Sequence, residues 1–436
     1  MKNCYILFYF LLVFVSCQKD IEPVNESLDP DLVCEDCDIN IVKDSDRLTQ
    51  YNEVVTFSKR KVKTSSSEVL KNTSISFTLR AKLAPLHVLH KGQDVLLNAN
   101  HVTVSGKKVA ASYSLVGEPY SGAVDVLFAP KGEPVNLQGT LELPNRDVDA
   151  VCIFQTNTLF LGGGFDVTEL YGGDYPSFLG RYNLKYNNKT EVLSISQDNL
   201  IHSKFGNKLR SLKNNKGFIY GSGGGNSGII FAIDEETNNL IKHDSNETEG
   251  LFILDTSLEI RSNIYYFVAT AYNNTTKELK AFSYIISKDT NKMTLNYEVS
   301  LGTFDLNVEA KHSLALPRKN VLVVSLGSGG IGVFNLINDG VNTKAELSHQ
   351  LKDEILDSTK PNHVVNSFTF SSDVFYVAAG EAGIYIIPYI SNLSKLDENF
   401  YHIDSKPGVS INSIGKSEDE LVVATTEGVS IYSIDN

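Results

Sequence analysis

Apolar positions along this chain fall in short runs of β-branched and aromatic residues bounded by Gly, Asn, Asp and Lys, and helical periodicity is missing almost everywhere. The pattern predicts a succession of short strands. Three C-terminal segments, 321–336, 374–388 and 421–434, superimpose on one another. Each is an apolar strand, a tight glycine-containing turn and a second apolar strand, preceded by a strand of mixed polarity. The same pattern runs backwards through 264–271, 218–231, 159–164 and 109–115, with Ala and Ser in place of the glycines in 264–271 and 109–115. That makes seven units. One polar residue heads the first strand of each: Asn100, Asp149, Lys208, Asp255, Lys311, Asn366 and Asn412. From Asn100 to Asn436 the units average about 48 residues, near the period of propeller blades. The triplets Gly162, Gly163, Gly164 and Gly223, Gly224, Gly225 each lie between two strands and read as turn glycines at positive φ.

These units resemble the LVIVD repeat, a bacterial relative of the WD-repeat blade, most clearly over 311–436. The resemblance implies an all-β fold, a seven-bladed β-propeller in which each blade is a four-stranded antiparallel sheet. Physics agrees: blades apolar on both faces bury them only in a closed ring. The last unit ends after its third strand, so an N-terminal strand must close it or leave an edge exposed. Residues 74–81 alternate apolar and polar and are assigned as that closing strand, in the manner of a half-buried edge.

The N-terminus supplies an address. Lys2 precedes an almost wholly apolar run from Tyr5 to Val15, the pattern of a secretory signal and too short for a stable membrane anchor. Ser16-Cys17 resembles a bacterial lipobox, with Phe14 where Leu is usual, which implies cleavage before Cys17 and its diacylation. Gln18-Lys19-Asp20-Ile21-Glu22 resembles the signal that exports Bacteroidota lipoproteins to the outer face of the outer membrane, although Ile21 stands where a second acidic residue is usual. The implied location is the outer membrane, lipid-anchored and facing the exterior. Residues 18–46 hold ten acidic residues against two lysines, plus Pro23 and Pro30, and read as a solvated tether. The expected organisation is signal peptide 1–16, lipidated tether 17–50 and propeller 51–436.

Cysteines are few. Cys34 and Cys37 form a C-x-x-C inside the acidic stretch, where an oxidising exterior favours a local disulfide. Zinc needs about two more ligands, and the next histidines, His87 and His90, are far along the chain. Cys152 falls in an apolar strand and reads as a buried thiol. No metal site and no cofactor is expected.

With 39 basic against 52 acidic residues the formal charge is −13, which argues against nucleic acid and against adsorption on an anionic membrane surface. No G-x-S-x-G, H-E-x-x-H, Walker loop or dinucleotide fingerprint occurs in its required setting. Three readings follow. The first is a non-enzymatic surface module whose propeller binds another outer-membrane or extracellular protein. The second is glycan or nutrient capture beside a transporter, which the absence of Trp weakens. The third is a propeller hydrolase or lyase, which the missing motifs disfavour. Contacts are expected at the end of the ring that carries the long loop with Tyr171, Asp174 and Tyr175, together with Glu118, Tyr120 and Glu381. The heading residues are expected to line the channel. In consecutive blades Asp149, Lys208, Asp255 and Lys311 alternate in sign, which predicts a chain of ion pairs and a rim of no net charge.

Overall fold

The computed structural model describes residues 39–434. It leaves out 61–74, the loop stretches 116–119, 166–176, 204–207, 225–227, 235–239, 244–249, 353–362 and 389–399, and turns of one to four residues elsewhere. The signal peptide, Cys17, Cys34, Cys37 and the tether as far as residue 38 therefore lie outside the described residues, as do Glu118, Tyr171, Asp174 and Tyr175.

The chain forms a seven-bladed propeller. The blades begin with the inner strands Gln93–Ser105, Arg146–Phe154, Lys208–Asn215, Phe252–Arg261, Leu314–Arg318, Ser367–Ser371 and Ile411–Lys416. Each continues outward as an antiparallel meander; in blade two the order is Arg146–Phe154, Thr158–Phe165, Ser177–Asn187, Val192–Ser203. The middle strands are apolar on both faces: every residue of Phe218–Gly224 and of Glu420–Thr425 is buried. Both faces are covered because blades stack on blades. The core is accordingly seven buried apolar clusters, one at each interface between neighbouring blades. Cys152 is a buried thiol in the cluster between blades two and three.

The ring closes as the missing outer strand demands. Ile75–Leu83 pairs with the last strand, Gly428–Ile434, from Phe77 opposite Ile434 to Leu83 opposite Val429. It is not an edge, however. The strand Leu48–Arg60 adds outside it, from Leu48 opposite Leu83 to Phe57 opposite Ile75. The end of that fifth strand, Ser58–Arg60, then pairs with Phe400–Ile403 of blade six and so ties blades six and seven together. Upstream, Asn40–Val42 pairs with the outer strand of blade one, Asn136–Pro144. Residues 40–50 thus belong to the propeller, inside the span assigned to the tether. Their polar composition hid a buried anchor. Arg47 is 9% exposed and bonds both oxygens of the fully buried Asp125, at 3.1 and 2.9 Å, and the Ala84 carbonyl at 2.9 Å. A paired, hydrogen-bonded guanidinium is what makes such burial tolerable.

Glycine marks the same closure. Gly330, Gly383 and Gly428 open the third strand of blades five, six and seven at φ of +81°, +104° and +105°. A Cβ at each would lie 1.9–2.1 Å from a carbonyl oxygen at the neighbouring outer strand: Leu351, Ile403 and, in the last blade, Leu83. Leu83 of the N-terminal strand therefore stands where an ordinary blade has its own outer strand. The triplet glycines behave differently from expectation. Gly162, Gly163 and Gly164 lie inside Thr158–Phe165, and Gly223 and Gly224 inside Phe218–Gly224; none has positive φ. Close approach is what requires glycine there: a Cβ on Gly163 would sit 1.7 Å from the Asp147 carbonyl oxygen.

Candidate functional site

Five of the seven inner strands are interrupted at one aligned position. Register shifts skip Asn100, Asp149, Arg210, Leu254 and Asn412 in blades one, two, three, four and seven. Each skipped residue is a β-bulge that turns the strand and aims a side chain inward. In blades five and six His312 and Asn366 hold the corresponding place, directly before Ser313 and Ser367. The heading residues read from the sequence match this position in blades one, two, six and seven. They miss it by two residues in blade three (Lys208 for Arg210) and by one in blades four and five (Asp255 for Leu254, Lys311 for His312). A bulge breaks the two-residue period on which the alignment relied, so a slip there leaves no trace in the hydrophobic pattern.

The bulges build a repeated clamp between blades. At the bulge, Asn100 Nδ2 donates to the Val148 carbonyl at 3.3 Å, Asn366 Nδ2 to that of Ile411 at 2.7 Å and Asn412 Nδ2 to that of Ala99 at 2.8 Å. The following residue accepts a backbone N–H from the next blade. His101 Nδ1 takes Val151 N at 3.1 Å, Asp255 Oδ2 takes Leu314 N at 2.7 Å, and the Oγ atoms of Ser313, Ser367 and Ser413 take Phe368, Ile414 and Val102 N at 3.0–3.3 Å. Inner strands leave these groups unsatisfied where they splay apart around the channel, and the clamp supplies their partners. Acceptance at His101 Nδ1 needs a neutral ring. Burial first, then Lys311 and Lys213, hold its pKa well below the ordinary histidine value.

Inside the ring of clamps lies a central cavity of about 810 Å³. All seven residues read from the sequence line it: Asn100, Asp149, Lys208, Asp255, Lys311, Asn366 and Asn412. Among the described residues only one link of the expected ion-pair chain forms, Lys208 Nζ to Asp149 Oδ2 at 3.2 Å. Asp255, 2% exposed, is engaged by its own neighbours, accepting from Lys213 Nζ at 2.5 Å and Ser211 Oγ at 2.6 Å. Lys311 reaches from blade five to the opposite side of the ring, donating to the Asp149 carbonyl of blade two at 2.7 Å. The expected neutral rim is also overturned. Among the described residues the lining carries four cationic side chains, Lys208, Arg210, Lys213 and Lys311, against two carboxylates, Asp149 and Asp255; Lys416 also lines it, with its ammonium on the Ser417 carbonyl and over the Tyr376 ring. The sequence reading missed Arg210, Lys213 and Lys416, because it took one residue per strand where the bulge turns several inward.

Two groups here titrate unusually. Burial, opposed by Asp149 and reinforced by Lys208 and Arg210, lowers Lys311 to about 7. Burial, reinforced by Asp149 and opposed by Lys208, raises Asp147 to about 7. Between pH 4 and 7 folded Asp147 holds a proton that the unfolded chain has released, so its contribution to stability falls as pH rises. Between pH 7 and 10.5 unfolded Lys311 holds the extra proton, so its contribution rises with pH. Below pH 7 the buried, neutral His101 and His312 act in the opposite sense to Asp147, so the net expectation is a rise of stability above about pH 7. Urea midpoints of the protein and of Lys311→Met across pH 5–10 check this: the rise above pH 7 should be lost in the variant, and an unchanged rise assigns it elsewhere.

Of the expected contact residues, Tyr120 is half-buried at the head of Ser121–Phe128. Glu381 is 6% exposed in the turn before Ile384–Pro388, so it is not available as an exposed contact. Leu89 is the most exposed large apolar residue among the described residues, at 78%. It shares the outer face of an extra hairpin, Leu86–His90 paired with the start of Gln93–Ser105, with the exposed Leu96, His87 and Asp94. No group of three or more His, Cys, Asp and Glu side chains comes together in a metal-holding arrangement among the described residues.

Fold and site together define a seven-bladed β-propeller with a polar, cation-rich central cavity. No protein-family model matches the chain, and no curated protein matches it in sequence. Solved structures similar to it include Sqt1 of Chaetomium thermophilum, at 9% identity and a TM-score of 0.49 over 80% of this chain and 97% of that one. The computationally designed Ika8 protein is similar at 12% identity and 0.41, over 88% and 100%. So is a catalytically inactive variant of virginiamycin B lyase from Staphylococcus aureus with quinupristin, at 12% and 0.47, over 80% and 99%. At these identities and scores the likeness says nothing of what this chain binds.

Proposed function

We propose that the protein is a non-enzymatic, lipid-anchored module of the LVIVD-repeat kind, displayed outside the outer membrane of a bacterium, whose propeller binds another protein there. The observation that carries the binding reading is the hairpin at the head of blade one. The blade architecture does not need it, and it presents Leu89 and Leu96 to solvent beside an exposed His87–Asp94 pair. An apolar pair rimmed by charge is the composition of an interface centre. Topology puts it at the end of the ring where inner strands begin and second strands, such as Thr158–Phe165, end. The two carboxylates available for acid–base work, Asp149 and Asp255, are already engaged with lysines, which favours binding over catalysis.

The address rests on Ser16-Cys17 and Gln18-Lys19-Asp20. Cys17→Ala should release the chain from the membrane fraction, and proteases added to intact cells should digest the native protein; full protection overturns surface display. Purification in mild detergent followed by mass spectrometry identifies the partner. With Leu89→Asp and Leu96→Asp combined, recovery of that partner should fall at least tenfold with the melting temperature unchanged. Unchanged recovery in that variant, and in Tyr171→Ala with Tyr175→Ala, removes this end of the ring from the interface.

A further inference from the structure

We propose that the central cavity is a binding site for a small organic molecule carrying two or more anionic groups (carboxylate, phosphate or sulfate), held chiefly by Lys208, Lys311 and Arg210. This site is separate from the protein-binding face, and the proposal stands whether or not that reading holds.

The first argument is the sign of the lining. A chain of formal charge −13 places four cations, Lys208, Arg210, Lys213 and Lys311, and two carboxylates around one internal cavity. A random draw from its surface would give the opposite sign. Low-dielectric walls focus such an excess and concentrate counter-ions inside. The second argument is convergence. Lys208 from blade three and Lys311 from blade five both end on Asp149 of blade two, one on its carboxylate at 3.2 Å and one on its carbonyl at 2.7 Å. Two ammonium groups thus meet at a single residue, Asp149, with Arg210, whose Nη1 donates to the Val308 carbonyl, on the strand that carries Lys208. The third argument is size and hydrogen-bonding capacity. About 810 Å³ falls within the range of small-molecule sites, and the side chains of Asn98, Asn100, Asn366 and Asn412 add amides around the same wall. The Nδ2 groups of Asn366 and Asn412 each spend one hydrogen on the clamp, and the second suits a hydroxyl or ester oxygen of a ligand whose charged ends lie on the lysines.

The charge balance also gives the site a pH response. Lys311 is faced by Asp149 from blade two, Lys208, Arg210 and Lys213 from blade three, Asp255 from blade four, His101 from blade one and His312 on its own blade. Both histidines are held neutral by burial near pH 7, so the cations there are lysines and the arginine. Repulsion from Lys208 and Arg210 helps to strip the proton from Lys311 in the empty site. An anion placed among the three restores it, so binding takes up a proton and weakens as pH rises past about 7.

Isothermal titration of the full-length protein with citrate, pyrophosphate and a sulfated disaccharide, with maltose as the uncharged control, tests this at pH 6.5 and 8.5. At least one anion should bind in the micromolar range at low salt, while maltose does not. Affinity should fall about tenfold from pH 6.5 to 8.5, and again on raising salt. The heat of binding should vary with buffer ionisation enthalpy, which reports the proton taken up. The anion that binds identifies the charged group. Lys311→Met should weaken binding at least tenfold and abolish the pH dependence; Lys208→Gln, at the half-buried mouth of the pair, provides the same reading if the first variant folds poorly. No binding by any anion at millimolar concentration, or equal binding in both variants, overturns the proposal. So does tighter binding of maltose than of the anions.

Discussion

Deleting residues 40–83 should leave a chain that neither closes nor stays monomeric. The deletion unpairs Gly428–Ile434 along its outer edge and releases blade six from the fifth strand. It also removes Phe57 and Phe77, fully buried rings 4.9 Å apart, from the cluster between blades six and seven. The loss exceeds the roughly 5–15 kcal/mol that holds an ordinary domain folded, and the bared strand edge invites pairing with another copy. Gel filtration should show aggregate, and thermal unfolding should lose its cooperative transition. Two point variants grade the effect. Phe77→Ala should cost about 3–5 kcal/mol by the cavity it opens. Gly428→Val should cost about 3 kcal/mol or more, since it combines a φ of +105° with a Cβ driven against the Leu83 carbonyl. A truncated chain that stays monomeric with its original melting curve would show that the ring does not depend on its N-terminal strands.

Asp255→Ala is expected to be the most damaging single change in the channel. The buried carboxylate gathers three blades: it accepts from Ser211 and Lys213 of blade three, sits on blade four and takes the Leu314 N–H of blade five. Alanine leaves the Lys213 ammonium beside the Thr256 carbonyl alone and strands a buried backbone donor. Removing one partner of such a pair costs about 3–5 kcal/mol, because the other charge stays behind. Asp255→Asn keeps the Leu314 acceptor and should lose less than half as much. Urea denaturation of both variants separates the two terms. Equal losses would mean that the charge itself matters little.

The contrast between Asp255 and Asp149 shows what the pattern of residues conveyed and what it did not. Both headed a strand in the alignment. Asp149 occupies its bulge and meets Lys208 as expected. Asp255 lies one residue past its bulge, where a side chain points to the neighbouring strand and not along the channel wall. That single step turned an expected link in a chain of ion pairs into a staple between blades. Arg47 makes the converse case: it reads as one basic residue in an acidic stretch, yet it reaches a carboxylate 78 positions away and anchors the start of the ring.

Blade count and the need for an N-terminal closing strand were legible from local order alone. Strands apolar on both faces have nowhere to go but between two other sheets, and a last unit one strand short must borrow one. The N-terminal lipobox and export resemblances likewise require only adjacent residues. Where each bulge falls, which cations turn inward and how the fifth strand ties blade six to blade seven depend on contacts between residues dozens to hundreds of positions apart. Those are settled by hydrogen-bond satisfaction around a closed ring, a condition no single strand can express. The cation-rich cavity belongs to this second class: an acidic chain concentrates its positive charge only once seven inner strands are brought face to face.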